Sequence, residues 1–127
     1  MKPLYGAVLL IICLGTGCSS EPVSEVDEVQ YFDLTDVRLL PSPFLHAQEL
    51  DRQYLLELDA DRLLAPFLRE AGLESKAASY PNWDNTGLDG HIGGHYLSAL
   101  AMMYASSEDE EVKTRLNYVL EELKRCQ

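Results

Sequence analysis

A chain of 127 residues has room for one domain, and 46% hydrophobic with 24% charged residues is a composition that folds. Ten basic residues against 21 acidic ones give a formal net charge of -11. That balance speaks against a nucleic-acid partner, because phosphate binding needs clustered Lys and Arg that this chain lacks.

Residues 1–18 read as an export signal. Lys2 gives a weak positive start, and residues 7–14, AVLLIICL, are apolar throughout. Such a run is too short for a bilayer-spanning helix, which needs about 20 residues, but has the length of a signal-peptide core. Gly15, Thr16 and Gly17 then precede Cys18, a pattern resembling a bacterial lipobox. Gly15 stands where the aliphatic residue is usual, and Leu14 lies one position further back. The expectation is a lipidated Cys18 as the mature N-terminus. The protein is then exported and anchored to a membrane through lipid, on the periplasmic or cell-surface side. An ordinary secretory peptide cleaved nearby is the alternative. Cys13 leaves with the signal and Cys18 carries lipid, so Cys126 is the remaining thiol and no internal disulfide is expected. Cys126 reads as a half-buried helix residue rather than a nucleophile or ligand.

Residues 19–29, SSEPVSEVDEV, are acidic and without apolar periodicity, as a solvated tether is. The folded part, residues 30–127, begins with YFDLTDVRLL at 31–40, a short strand or an extended arm. Ser42-Pro43 opens a helix, with Ser42 as N-cap and Pro43 at the first helical position. Ala47, Leu50, Tyr54 and Leu58 share one of its faces. Asp59 to Asp61 interrupts it, and a second helix is expected over residues 62–71, where Pro66 fits only the first turn or a kink and Gly72 caps the end. Residues 73–90 read as a long irregular loop, the kind that is often functional.

The last third reads as a helical hairpin. Residues 95–105, HYLSALAMMYA, are apolar on nearly every side, so this helix is expected to be buried all round, anchored by Tyr96, Leu97, Leu100 and Ala101. Ser107 and Glu110 form a capping box for the next helix, which runs to about Gln127. Its apolar stripe is Val112, Leu116, Val119, Leu120 and Leu123, with Glu111–Arg115 and Glu121–Arg125 as four-residue ion pairs. A buried helix followed by a half-exposed one is the inner–outer unit of an α/α barrel. The fold class is therefore all-α. The buried helix lacks enough partners within these residues, so further chain or another subunit is expected to cover it.

Three segments carry a family resemblance: FDLTDVRLLPSPFLHAQELDRQYLLELDADRLLAPFLREAGL, WDNTGLDGHIGGHYLSALAMMY and the terminal ELKRCQ. They resemble the start of glycoside hydrolase family 127, which includes non-reducing-end β-L-arabinofuranosidases. The resemblance implies the N-terminal part of an (α/α)6 barrel catalytic domain, followed in the family by β-sandwich domains. It implies arabinose-containing oligosaccharides or polysaccharides as substrates. It further implies a retaining mechanism with a zinc-bound Cys thiolate as nucleophile and a Glu as acid/base. None of the motifs for those groups occurs in these residues, so no catalytic residue and no metal ligand is assigned here, and zinc belongs to the complete enzyme. The alternative is a small exported lipoprotein that binds carbohydrate or a protein partner.

The His of the GGHY motif, His95, resembles a substrate-contacting residue at the barrel mouth. Beside it, His91 and Asp89 have a spacing at which a zinc site is conceivable, but Gly93-Gly94 argues against a continuous helix between the histidines, and no third ligand is well placed. His91, His95 and Asp89 are therefore read as sugar contacts. Trp83 and Tyr80 offer aromatic faces for a sugar ring or pin the loop. Asp84 is a sugar-hydroxyl acceptor or a turn-former.

Overall fold

The computed structural model describes residues 30–87 and 89–127, without the side chains of Trp83 and Asn85. The signal, Cys18 and the tether lie outside the described residues. Residues 31–127 form one compact unit built from four helices: α1 (Pro43–Glu57), α2 (Ala60–Glu70), α3 (His91–Ser107) and α4 (Glu110–Arg125). Short 3-10 turns stand at Leu34–Asp36 and Asn82–Asn85, and no strand occurs among the described residues. The architecture is all-α, consistent with part of an α/α barrel. The segment before α1 is an arm rather than a strand. Its Asp33 side chain caps the first 3-10 turn by accepting from Thr35 N at 2.9 Å. Arg38 ties the arm to the end of α3, donating to Ala105 O at 3.5 Å and pairing with Glu108 at 2.8 Å.

Local chemistry sets most helix ends. Ser42 Oγ accepts from Leu45 N with Pro43 at the first helical position, as the sequence predicts. The break after α1 is shorter than expected. Asp59 serves as N-cap, its side chain accepting from Asp61 N at 3.0 Å, and α2 starts at Ala60. Pro66 consequently sits in the helix interior, where the missing N–H costs about 3 kcal/mol in an isolated helix. Full burial of its ring among core residues offsets that cost. Gly72, at φ +71°, closes α2 with a Schellman pair: Leu73 N donates to Leu68 O at 2.8 Å and Gly72 N to Arg69 O at 3.0 Å.

The expected Ser107–Glu110 box is replaced. Asp109 caps α4, with Oδ1 accepting from Glu111 N and Val112 N, both at 2.9 Å, while Arg52 Nε donates to Oδ2 at 2.7 Å. The amides at the start of α4, chiefly that of Val112, together with Arg52, hold the Asp109 carboxyl below the usual aspartate range. Ser107 Oγ instead donates back to Met103 O at 2.7 Å, because Ser107 is still in α3. Both expected ion pairs along α4 are also replaced. Glu111 pairs with Arg52 at 2.9 Å, Arg125 with Glu122 at 2.5 Å, and Arg115 turns inward.

The core gathers Leu55, Ala60, Leu63, Leu64, Leu68, Tyr96, Leu100, Val112 and Val119. On α1 only Leu55 is buried. Leu50, Tyr54 and Ala47, expected on the packed face, are exposed. On α4, Leu116 and Leu123 pack against the core, whereas Leu120 is 44% exposed. Helix α3 buries Gly93, Tyr96 and Leu100 but leaves Ile92, Ala101 and Met102 outside, Met102 at 58% exposure. Burial all round is thus not what these residues achieve, since α1, α2 and α4 pack against one side of α3 only.

Where α1 stops, its last carbonyls need donors. Tyr96 Oη donates to Leu55 O at 2.9 Å. Arg115 donates to Leu58 O at 2.8 Å, Leu56 O at 3.2 Å and Tyr96 Oη at 3.2 Å. Burial pushes the Tyr96 phenol upward, so it stays a donor. Arg115→Met is expected to cost about 2–3 kcal/mol, since carbonyls bonded to a cation lose their partner, and Tyr96→Phe about 1 kcal/mol. Urea unfolding of both variants beside the wild type checks the order. A loss below about 0.5 kcal/mol for Arg115→Met would show that water replaces it.

Candidate functional site at the start of helix α3

Helix α3 begins one turn before the position its apolar run suggests. Gly90 precedes it at φ +92°, a left-handed conformation that disfavours any side chain, and Gly94 N donates to Gly90 O at 3.1 Å. The helix is therefore continuous through Gly93-Gly94, contrary to expectation. The reason is close packing. A Cβ on Gly93 would stand 2.7 Å from Phe67 Cε2 and 3.1 Å from Leu63 O, and one on Gly90 would stand 3.1 Å from Phe67 Cζ. Glycine at these positions lets α3 lie against α2. Gly94 faces open space, with nothing within 4 Å of its Cβ position.

Continuity places His91 and His95 one turn apart on the same exposed face, their rings edge to face with centroids 6.4 Å apart. Ser98 and Met102 continue this face, and Ser98 Oγ donates to Gly94 O at 3.1 Å. The structure thus brings together the two histidines that the sequence singles out. It does not add Asp89 to them as an open carboxylate. Asp89 Oδ2 accepts from Arg69 Nη2 at 2.5 Å, and Oδ1 accepts from Thr86 N at 3.2 Å and Gly87 N at 3.1 Å. These bonds make Asp89 the brace of the turn that delivers α3. The side chain of Trp83 lies outside what the structure describes. Tyr80 pins the loop: its hydroxyl accepts from Asp59 N at 3.0 Å, and the Arg62 guanidinium sits 4.1 Å from its ring centre.

Zinc does not fit these residues. Among the described residues no group of three or more His, Cys, Asp or Glu is placed to hold a metal, and Asp89 is committed to Arg69. Cys126 is half-buried at the end of α4, its Sγ 3.5 Å from Glu122 O. Asp84, by contrast, is 4% exposed, and its Oδ1 has no hydrogen-bond partner among the described residues. It lines a cavity of about 320 Å³ with Tyr54, Leu58, Leu63, Tyr80, Pro81, Asn82 and Ile92. Tyr54 and Ile92 carry no sequence signal for such a place, because each reads as an ordinary apolar helix position. A second, more open groove of about 590 Å³ runs between the arm, α1 and α3, lined by Leu39, Phe44, Tyr54, Ala99, Met102 and Met103 among others.

Comparison with family models gives a match to the β-L-arabinofuranosidase, GH127 catalytic domain over residues 36–127. The chain belongs to this glycoside hydrolase family. The match spans all four helices and both histidines. No curated protein matches the chain. Within the GH127 catalytic domain, the described residues supply the glycine-packed start of α3 and its exposed imidazoles.

The glycine pair makes a paired prediction. Gly93→Ala is expected to destabilise by about 1–3 kcal/mol, because the new methyl meets both a ring and a backbone oxygen. Gly94→Ala is expected to stabilise by about 0.4–1 kcal/mol, since it gains helix propensity in open space. Thermal melting of the two variants side by side reads the opposite signs. Equal behaviour would refute the packing role of Gly93.

Proposed function

We propose that the protein in its complete form releases non-reducing-end arabinofuranose from plant-type oligosaccharides or polysaccharides, and that these residues form the first part of its catalytic barrel. The observation that carries the reading is the GH127 catalytic-domain match over residues 36–127. His95 is the substrate-contacting residue in this proposal, with His91 as a weaker neighbour on the same face. Both sit on a helix fixed by Tyr96 and Leu100 in the core rather than on a loop, so a hydrogen bond to a sugar hydroxyl costs little ordering. None of the motifs that the family resemblance implies for the zinc, nucleophile and acid/base occurs in these residues, so this reading assigns them no catalytic residue. The exposed Ile92, Ala101 and Met102 on α3 are surface for further barrel helices to cover.

The open groove also favours a second reading, a small exported lipoprotein that binds carbohydrate or a protein partner through that surface. The coding sequence past Gln127 separates the two. An in-frame barrel continuation supports the hydrolase, and a stop codon with stable expression supports the module.

In the complete enzyme, His95→Ala is expected to lower kcat/KM about 5- to 150-fold, the equivalent of one hydrogen bond worth roughly 1–3 kcal/mol. The melting temperature should hold, because His95 is exposed. His91→Ala should do less. Kinetics and melting on both variants decide it: unchanged kinetics with a large melting loss would make His95 a structural residue.

The proposed anchor at Cys18 has its own test. Expressed with its signal in a Gram-negative host, the protein is expected in the membrane fraction, and Cys18→Ser is expected to release or stall it. A mature N-terminus found elsewhere and unmodified by mass spectrometry overturns the anchor.

A further inference from the structure

The large apolar side chains left in the open crowd into one stretch of the chain. Among the described residues the four most exposed are Tyr31, Phe32, Leu40 and Phe44, each 75% exposed or more. Three belong to the arm and the fourth to the first turn of α1. Leu34 and Leu39 of the arm line one groove with Phe44. The backbone beneath these side chains is held in place. Arg38 ties the arm to Ala105 O and Glu108, and Ser42 Oγ donates to Leu40 O at 2.8 Å while accepting from Leu45 N. Aromatic and aliphatic side chains fixed in the open in this way mark a surface that something covers.

Position in the chain selects the cover. Tyr31 and Phe32 precede residue 36, where the catalytic-domain match begins. Tyr31 follows Cys18 by 13 residues, a length that reaches about 45 Å even fully extended. A lipid on Cys18 therefore keeps the arm close to the bilayer, at a local concentration that makes a weak contact effective. A free protein partner has no such advantage. The side chains suit that neighbour: Phe and Leu supply apolar bulk, and Tyr has an apolar ring with a wet hydroxyl, the combination that settles at headgroup level. Charge narrows the lipid. The arm carries Asp33 and Asp36, its Arg38 is paired with Glu108, and residues 19–29 hold acidic residues and no basic one. An anionic surface would repel them, whereas a zwitterionic one does not. We propose that Tyr31, Phe32, Leu40 and Phe44 form a docking surface that seats the arm in the headgroup region of a zwitterionic bilayer. The inference rests on the proposed Cys18 anchor and goes beyond it, since the lipid attaches the protein and the arm decides which side of it meets the membrane.

The test uses the full chain with its signal, expressed in a Gram-negative host, purified with its lipid and reconstituted into phosphatidylcholine vesicles. Phe32→Trp places an indole on the arm, read as the emission added to that of Trp83 in the wild type. Seated about 5–10 Å into the headgroup and acyl boundary, it is expected to shift to the blue and to be quenched by lipid brominated high on its acyl chains. Leu40→Trp repeats the measurement if Phe32→Trp does not fold. Leu120→Trp, on α4, is expected to escape quenching. Because the contact is apolar, quenching of the arm indole should survive 1 M salt, where the Debye length is about 3 Å. Membrane-bound protein with an unquenched arm indole overturns the docking surface and leaves the anchor standing. If that indole is nevertheless shifted to the blue, protein covers the arm, as a second copy or further chain. Equal quenching of Leu120→Trp, or release of quenching by salt, overturns the apolar seating of the arm. Absence of the wild type from the membrane fraction overturns the anchor, and this docking surface with it.

Discussion

The carboxyl end of α1 is where the fold is tied. Every α-helix ends with carbonyls that the helix itself cannot satisfy, and here the chain must also turn within two residues to start α2. Tyr96 from α3 and Arg115 from α4 reach the same place and donate to Leu55, Leu56 and Leu58. One guanidinium and one phenol thereby couple α1, α3 and α4 at a single junction, from which α2 departs. The hydrophobic core around Leu55, Leu100 and Val112 fills the space beside them, but the polar plug fixes the register in which those side chains meet.

From that junction the geometry passes to the site. With Tyr96 held at the α1 end, α3 has one rotational setting, and Gly90 and Gly93 set its distance from Phe67 on α2. His91 and His95 then lie on the exposed face of α3. The Asp89–Arg69 pair serves the same end from the loop side, bracing the turn against α2. Tyr80 and Asp59 do so again at the α1–α2 break. The two exposed imidazoles are thus placed by the packing and polar contacts of other residues.

The sequence was legible where structure is local. Ser42-Pro43 and Gly72 act through neighbours within a few residues, and each does what its chemistry dictates. It was misleading where a long-range partner competes. Arg115 has Glu111 one turn away, yet carbonyls 57 residues back in the chain at Leu58 are the better acceptors, and spacing alone does not reveal them. Asp109 displaced Ser107 as cap because its carboxylate serves Arg52 as well as the helix amides. Gly93-Gly94 read as a break because glycine weakens helices, whereas Phe67 shows one of the two to be a packing requirement. The role proposed for His95 rests on the family resemblance, and periodicity could supply only its face. The cavity around Asp84 drew on four separate segments, so no window of sequence contained it.

The distances along the chain between the α1 carbonyls and their donors also order events during synthesis. Leu55 waits for Tyr96, 41 residues later, and Leu58 for Arg115, 57 residues later. At ribosomal rates of about 5–20 residues per second, the second interval is roughly 3 to 11 s. Until Tyr96 is made, α1 and α2 can coil locally with only water for the Leu55 carbonyl, and the Leu58 carbonyl waits longer for Arg115. The nascent α1–α2 segment therefore emerges as a loosely hinged pair that locks only when α4 is made. Its Pro66, already present, weakens α2 until the core that buries its ring has formed.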